Sequence, residues 1–502
     1  MVEASGLAQG IAEYRGIRER IERSILPLAS SVDGRRFSFQ ASAHDLPAQV
    51  GGYVVLEGTG GDRLGQVTAL ELATEEMGTL GFVLSGEQGA METTTRMVVR
   101  LARGSGELLE GDPAPFHDAT ARAAAPDEVR SWLQRVAAPR ARLEVGDLVL
   151  AEDVPYALDA GGFGRHTFLC GQSGSGKTYA LGLILERLLL ETDLRIVVLD
   201  PNSDYVRMAD VRDGVDTSLA GRYADAAARV VVRRGTEGNA RLAVRFVDLD
   251  PALQAATLRL DPVADREEYA DLISMLRERR VDHMRELEAA AGEAARPILA
   301  RARNLGVLDW GAWSRPGGPS FIDDLLDRDA RFLVADLGSL PSREEQALVA
   351  AATLDALWRR RADRRPLLIV IDEAHNVCPQ APPDALTALA AETAVRIAAE
   401  GRKFGLYLLV STQRPQKVQE NVVTQCDNLV LMRMNSSADI DFAHEAFSFV
   451  PPGLLGRATT FRLGEALVAG KISPHPALIR VGARIAEEGG ADVPATWAAP
   501  AG

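Results

Sequence analysis

Cysteine is nearly missing. Only Cys170, Cys378 and Cys426 occur in 502 residues, too few and too scattered for a disulfide scaffold or a thiolate metal cluster. The seven histidines form no spaced ligand set either. That usage fits a reducing compartment, and the cytoplasm is the expected location. Lysine is equally scarce: Lys177, Lys403, Lys417 and Lys471 stand against 52 arginines. No apolar run approaches the roughly 18 residues needed to cross a bilayer. The longest, such as 367–371, have the length of a core strand, so no membrane association is expected. The opening MVEASGLAQG lacks a basic leader followed by an apolar stretch and predicts no secretory signal. An excess of positive charge is also lacking. A net charge of −14 argues against a protein that coats nucleic acid over its whole surface, but leaves room for a basic channel inside an acidic shell.

What is present is globular. The 46% hydrophobic content, with ordinary glycine and proline usage, excludes fibrous and wholly disordered chains. At ~150 residues per domain the length allows two to four domains. Residues 1–32 read as a helical segment, with Ile17, Ile21 and Ile25 at helical spacing. From 33 to 160, short β-type runs broken by Gly, Pro and Asp predict a small barrel or sandwich. The stretch 107–137 reads as an excursion from it, with a short helix near 127–136. From 161 to 485, strands alternate with helices of 10 to 20 residues, the rhythm of an α/β domain with a mostly parallel sheet covered on both faces. Within it 229–232 and 241–247 read as strands, 262–315 as a helical insertion, and 486–502 as a flexible tail.

The strongest signal is Gly171-Gln172-Ser173-Gly174-Ser175-Gly176-Lys177-Thr178, lying between a strand and a helix. Small residues there let the backbone curl so that successive N–H groups face phosphates, and the helix adds its positive end. Lys177 would bridge the β- and γ-phosphates of ATP, and Thr178 would offer a hydroxyl to Mg2+. The second half is the buried strand 367–371 followed by Asp372 and Glu373: Asp372 to hold the metal, Glu373 to orient or deprotonate the attacking water. Gln413, just beyond another strand, is a candidate γ-phosphate sensor or a loop residue capping the backbone. Asp200 and Asp204 sit at a further strand end and either assist the metal or water, or cap a helix.

These motifs together resemble the HerA/FtsK branch of hexameric P-loop ATPases, the HerA type most closely. The matching text is Arg165-His166 before the phosphate loop, Asp200-Pro201-Asn202-Ser203-Asp204-Tyr205, Asp372-Glu373-Ala374-His375, the run Glu400 to Gly405, Ser411 to Pro415, Gln425-Cys426 and Leu463-Gly464-Glu465-Ala466. Asn202-Ser203-Asp204 departs from the family's usual His-Gly-Glu. The resemblance implies a RecA-like ATPase domain behind an N-terminal HAS-barrel-like domain. It also implies a homo-hexameric ring in which an arginine of the next subunit completes each site, with Arg402 the first choice and Arg414 the alternate. Double-stranded DNA would thread the ring, and a partner nuclease or other effector would act beside it, in end processing or anti-phage defence. No nuclease constellation is visible in this chain. Arg277, Arg279 and Arg280, or Arg301 and Arg303, are candidates for DNA contact or for a solvated helix face. The rival reading is an ATP-dependent protein-remodelling or assembly ring that pumps no DNA.

Overall fold

The computed structural model describes residues 2–44, 48–86, 89–110, 114–137, 141–235, 238, 240–278, 284–286, 296–327 and 329–490. They form two compact units: Met1–Ala137 with Leu148–Pro155 and Val450–Arg457, and the remainder.

In the first unit, strands β1 (Leu28–Ser31), β2 (Arg36–Ser42), β3 (Tyr53–Glu57), β4 (Arg63–Gly86), β5 (Gly89–Leu108) and β6 (Phe116–Ala123) close in the order β1-β2-β5-β4-β3-β6. β2 alternates exposed and buried residues, as a strand with one face on a core must. Phe37, Phe39, Val54, Leu56 and Val67 fill the interior. A Cβ on Gly104 would run into the Phe39 ring, and one on Gly106 into the Phe37 ring, so these glycines let the two rings lie across β5. β4 and β5 stay paired out to Gly86 and Gly89 as a long ribbon. The leading helix, Val2–Arg23, is longer than its isoleucine ladder, which packs Ile17 and Ile21 on Met97, Val99 and Leu101.

One expectation about this region fails, and another holds only in part. The 107–137 stretch is no excursion: its β6 pairs with both β1 and β3 and closes the ring. Its buried residues, Ala119 and Ala121, are too small to write an apolar pattern. Of the expected first domain, 33–160, Leu148–Pro155 stays with the first unit, whereas β7 (Arg142–Leu148) and β8 (Pro155–Asp159) belong to the edge of the second unit's sheet.

That sheet also contains β9 (Thr167–Cys170), β10 (Arg195–Asp200), β11 (Val230–Arg234), β12 (Phe332–Asp336), β13 (Leu367–Ile371), β14 (Leu406–Thr412), β15 (Asn428–Met432), β16 (Glu465–Gly470) and β17 (Ala477–Val481). Its order is β11-β12-β10-β13-β14-β9-β15-β16-β17-β7-β8. From β11 to β15 all neighbours are parallel, and β16 and β17 add antiparallel strands. β9, β12 and β13 are buried at every residue, the mark of a sheet covered on both faces.

Residues 241–247 are not a strand; they hold an isolated bridge at Val244 and enter a 3-10 turn, Phe246–Asp248. The insertion holds helices Arg266–Glu278 and Arg296–Leu305. Arg301 joins them, pairing with Asp265 at 3.0 Å and Glu268 at 2.9 Å, so its charge is spent on internal packing. Arg277 lies exposed in the last turn of the first helix, Arg303 is exposed in the second, and Arg279 and Arg280 fall outside the described residues. Part of the expected tail is held: Glu487 N–H donates to Asp210 O at 2.9 Å and Gly489 N–H to Asp204 O at 3.0 Å. Among the described residues no helix is long and apolar enough to cross a membrane.

Candidate active site

The carboxyl ends of β10, β13, β14 and β9 lie side by side, since Leu199 pairs with Ile371, Ile371 with Val410 and Thr412 with Cys170. Ligands of open parallel sheets gather at that edge. Gly171–Gly176 leave β9 there and enter the helix Lys177–Glu191. Gly174 and Gly176 take left-handed φ of 71° and 93°, which glycine adopts without steric cost. A Cβ on Gly171 would stand 2.7 Å from both Met432 Cβ and Ser175 Oγ. Neighbours from β15 brace the loop: Gln172 N–H donates to Arg433 O at 2.9 Å and Arg433 Nη2 to Gly174 O at 3.1 Å. Gly464 N–H donates to Ser175 O at 3.2 Å, which brings the Leu463–Ala466 motif against the loop.

Lys177, almost wholly buried, reaches the end of β13. Its Nζ is 2.9 Å from Asp372 Oδ1, 3.0 Å from Glu373 Oε1 and 3.2 Å from Ser411 Oγ. Burial would lower its proton affinity, but the two carboxylates outweigh burial and hold the ammonium above its ordinary value. Thr178 follows in the first helical turn, half-buried. Glu373 has a left-handed φ of 43°, a strained conformation for a non-glycine residue and one that recurs at functional sites. Its Oε2 lies 3.2 Å from His375 Nδ1, itself 3.1 Å from Thr412 Oγ1. Burial lowers the proton affinity of His375 against the opposing pull of Glu373. Ser175 Oγ is buried with no hydrogen-bond partner, so it has bonding capacity to spare for a ligand or water.

Asp200 ends β10 and accepts the N–H groups of Asn202, Asp204 and Tyr205 at 3.2, 3.0 and 2.9 Å. Burial pushes its carboxyl up to about 7 despite those donors. Burial, reinforced by the charge of Asp372, pushes Asp204 up to about 6. Two carboxylates, Asp372 and Glu373, therefore contact the lysine directly, and Asp204 lies near enough to feel its charge. Among the described residues, no group of three or more His, Cys, Asp or Glu side chains makes a self-sufficient metal cage.

The remaining expected residues divide. Gln413 is half-buried one residue past β14, at the site edge, and Arg414 beside it is exposed. Arg402 is elsewhere. It lies in the turn Gly401–Phe404 that precedes β14, at the opposite edge of the sheet, and bonds Asp427 at 2.6 Å. The seven residues of β14 separate it from its own phosphate loop by about 20 Å. Lys403 shares that turn. Sequence reasoning missed Tyr205, whose hydroxyl donates to Asp372 Oδ2 at 3.2 Å, and Arg433, whose role depends on β15 lying beside β9. Tyr205 and Ser411 already stood inside recognised motifs. Arg433 had no local signal.

Comparison with known proteins agrees with this geometry. A family model described as the central domain of helicase HerA matches residues 143–295. The "DNA double-strand break repair helicase HerA" of Pyrococcus furiosus is 24% identical over 414 residues, covering 68% of this chain and 69% of that protein. The protein of the same name from Saccharolobus solfataricus is 23% identical over 467 residues, covering 87% and 88%. Among solved structures, VirB4 of Thermoanaerobacter pseudethanolicus superposes with a TM-score of 0.50 at 16% identity, covering 70% of this chain and 98% of that one, a likeness of fold. With the phosphate loop, its buried lysine and the Asp-Glu strand end in one place, the chain is a HerA-like P-loop ATPase, an ATP-hydrolysing enzyme.

Proposed function

We propose that this enzyme is an ATP-driven translocase of double-stranded DNA that works as a cytoplasmic homo-hexameric ring. The observation that carries the reading is the convergence of Lys177, Asp372 and Glu373 beside a glycine-rich loop and a helix start. The loop amides and Lys177 grip the β- and γ-phosphates. Thr178 and Asp372 would hold Mg2+, which would supply positive charge to offset that of the phosphates. Glu373 takes a proton from the attacking water, and Gln413 responds to the γ-phosphate. Arg402, at the far edge of the sheet, serves the site of an adjoining copy by offsetting charge on the transferred phosphoryl group.

Action on DNA is supported by relatives named as double-strand break repair helicases. With no nuclease constellation in the sequence, cutting falls to a partner protein, in DNA end processing or anti-phage defence. The test has two arms. Glu373→Gln keeps ATP binding and loses hydrolysis by at least about 100-fold; unchanged turnover removes Glu373 from its role. Duplex DNA raises the ATPase rate of the native protein, and added salt reverses that rise as counterions compete for the phosphates. Indifference to duplex at low salt would favour a protein-remodelling ring.

A further inference from the structure

The turn after β10 reaches three strand ends. Asp200, the last residue of β10, accepts three of the turn's own N–H groups. Ser203 Oγ donates to Asp336 Oδ1, at the end of β12, at 2.7 Å. Tyr205 OH donates to Asp372 Oδ2, just past β13, at 3.2 Å. A Cβ on Gly338 would stand 2.7 Å from Pro201 O, so backbone closes the turn from that side too. Tyr205 is fully buried, and its amide is one of those fixed by Asp200. A phenol so held cannot swing away to another acceptor.

Asp372 is thus held from both sides. Oδ2 is taken by Tyr205, and Oδ1 faces Lys177. A carboxylate pinned through one oxygen presents the other in a single direction, the service that hydrogen-bonded neighbours commonly render to ligating groups. We propose that Tyr205 is a positioning residue: by donating to Oδ2 it sets the rotation of Asp372, so that Oδ1 faces the Lys177 side, where Mg2+ and the phosphates meet. This inference rests on the reading of Asp372 as the metal-holding carboxylate.

The test uses Tyr205→Phe in the full chain and measures binding of a fluorescent ATP analogue as Mg2+ is titrated, beside the Mg2+ dependence of hydrolysis. The expected result is a half-saturating Mg2+ concentration raised about tenfold or more, with analogue binding in the absence of Mg2+ unchanged. In an Asp372→Asn background the same substitution adds no further shift, because its effect runs through that carboxylate. An unshifted Mg2+ titration for Tyr205→Phe, while Asp372→Asn alone shifts it, overturns the proposal and leaves the reading of Asp372 intact. An unshifted titration for Asp372→Asn removes that reading and the proposal with it. If Tyr205→Phe does not fold, a fluorinated tyrosine at 205 keeps the ring and alters only the strength of the donor. A changed Mg2+ titration then supports the proposal, and an unchanged one refutes it.

Discussion

Asp204 stands in the turn after β10, and its environment sets how that acid behaves. Burial beside Asp372 raises its carboxyl from an ordinary 3.8 to about 6. A raised carboxyl binds a proton more tightly in the folded state. The cost of ionising it therefore appears as pH rises through the window from about 4 to about 6. Asp204→Asn removes that cost. Its melting temperature is expected to match the native protein near pH 4, to exceed it increasingly up to about pH 6, and to hold a constant advantage above; an advantage independent of pH would contradict the assignment. Little of this was legible beforehand. The sequence shows that an acid stands at 204. The charge that reinforces its burial is that of Asp372, a partner 168 positions away.

At the scale of elements, legibility followed locality. The phosphate loop, β13 and β14 announce themselves because their apolar runs and turn residues are contiguous. β6 was hidden because alanines fill its inner face, and β7 because its place is in the far edge of the second unit's sheet. The 241–247 segment reads as strand by its residue types, yet makes only a single bridge. The phosphate loop also shows how tightly an element is fitted. Gly171→Ala must push Met432 or Ser175 aside, a displacement that typically costs 1–3 kcal/mol. Because the loop bears the phosphate-binding amides, ATP affinity should fall by about tenfold or more. A calorimetric titration showing native affinity would mean that the loop absorbs the methyl group without moving.

At the scale of the whole molecule, the sheet sets the candidate site and the proposed trans arginine at opposite edges. Lys177 works at the carboxyl edge and Arg402 stands at the amino edge, across the length of β14. Arg402→Ala and Lys177→Ala should each abolish hydrolysis alone. Mixed and reassembled, they should recover part of it, because a site built from the lysine of one chain and the arginine of the other is intact. Failure to complement, with assembly intact, would assign Arg402 to its salt bridge with Asp427.

On the role proposed for Arg402, this polarity would also distinguish closed from open assemblies. Copies joined edge to edge in such an order form a directional series, each lending a guanidinium forward and borrowing one from behind. An open string always ends in a member that lends to nobody and one that borrows from nobody, so one pocket stays idle whatever its length. Only closure brings every pocket into use, and ATP turnover per chain would then report the geometry of the assembly as well as its chemistry.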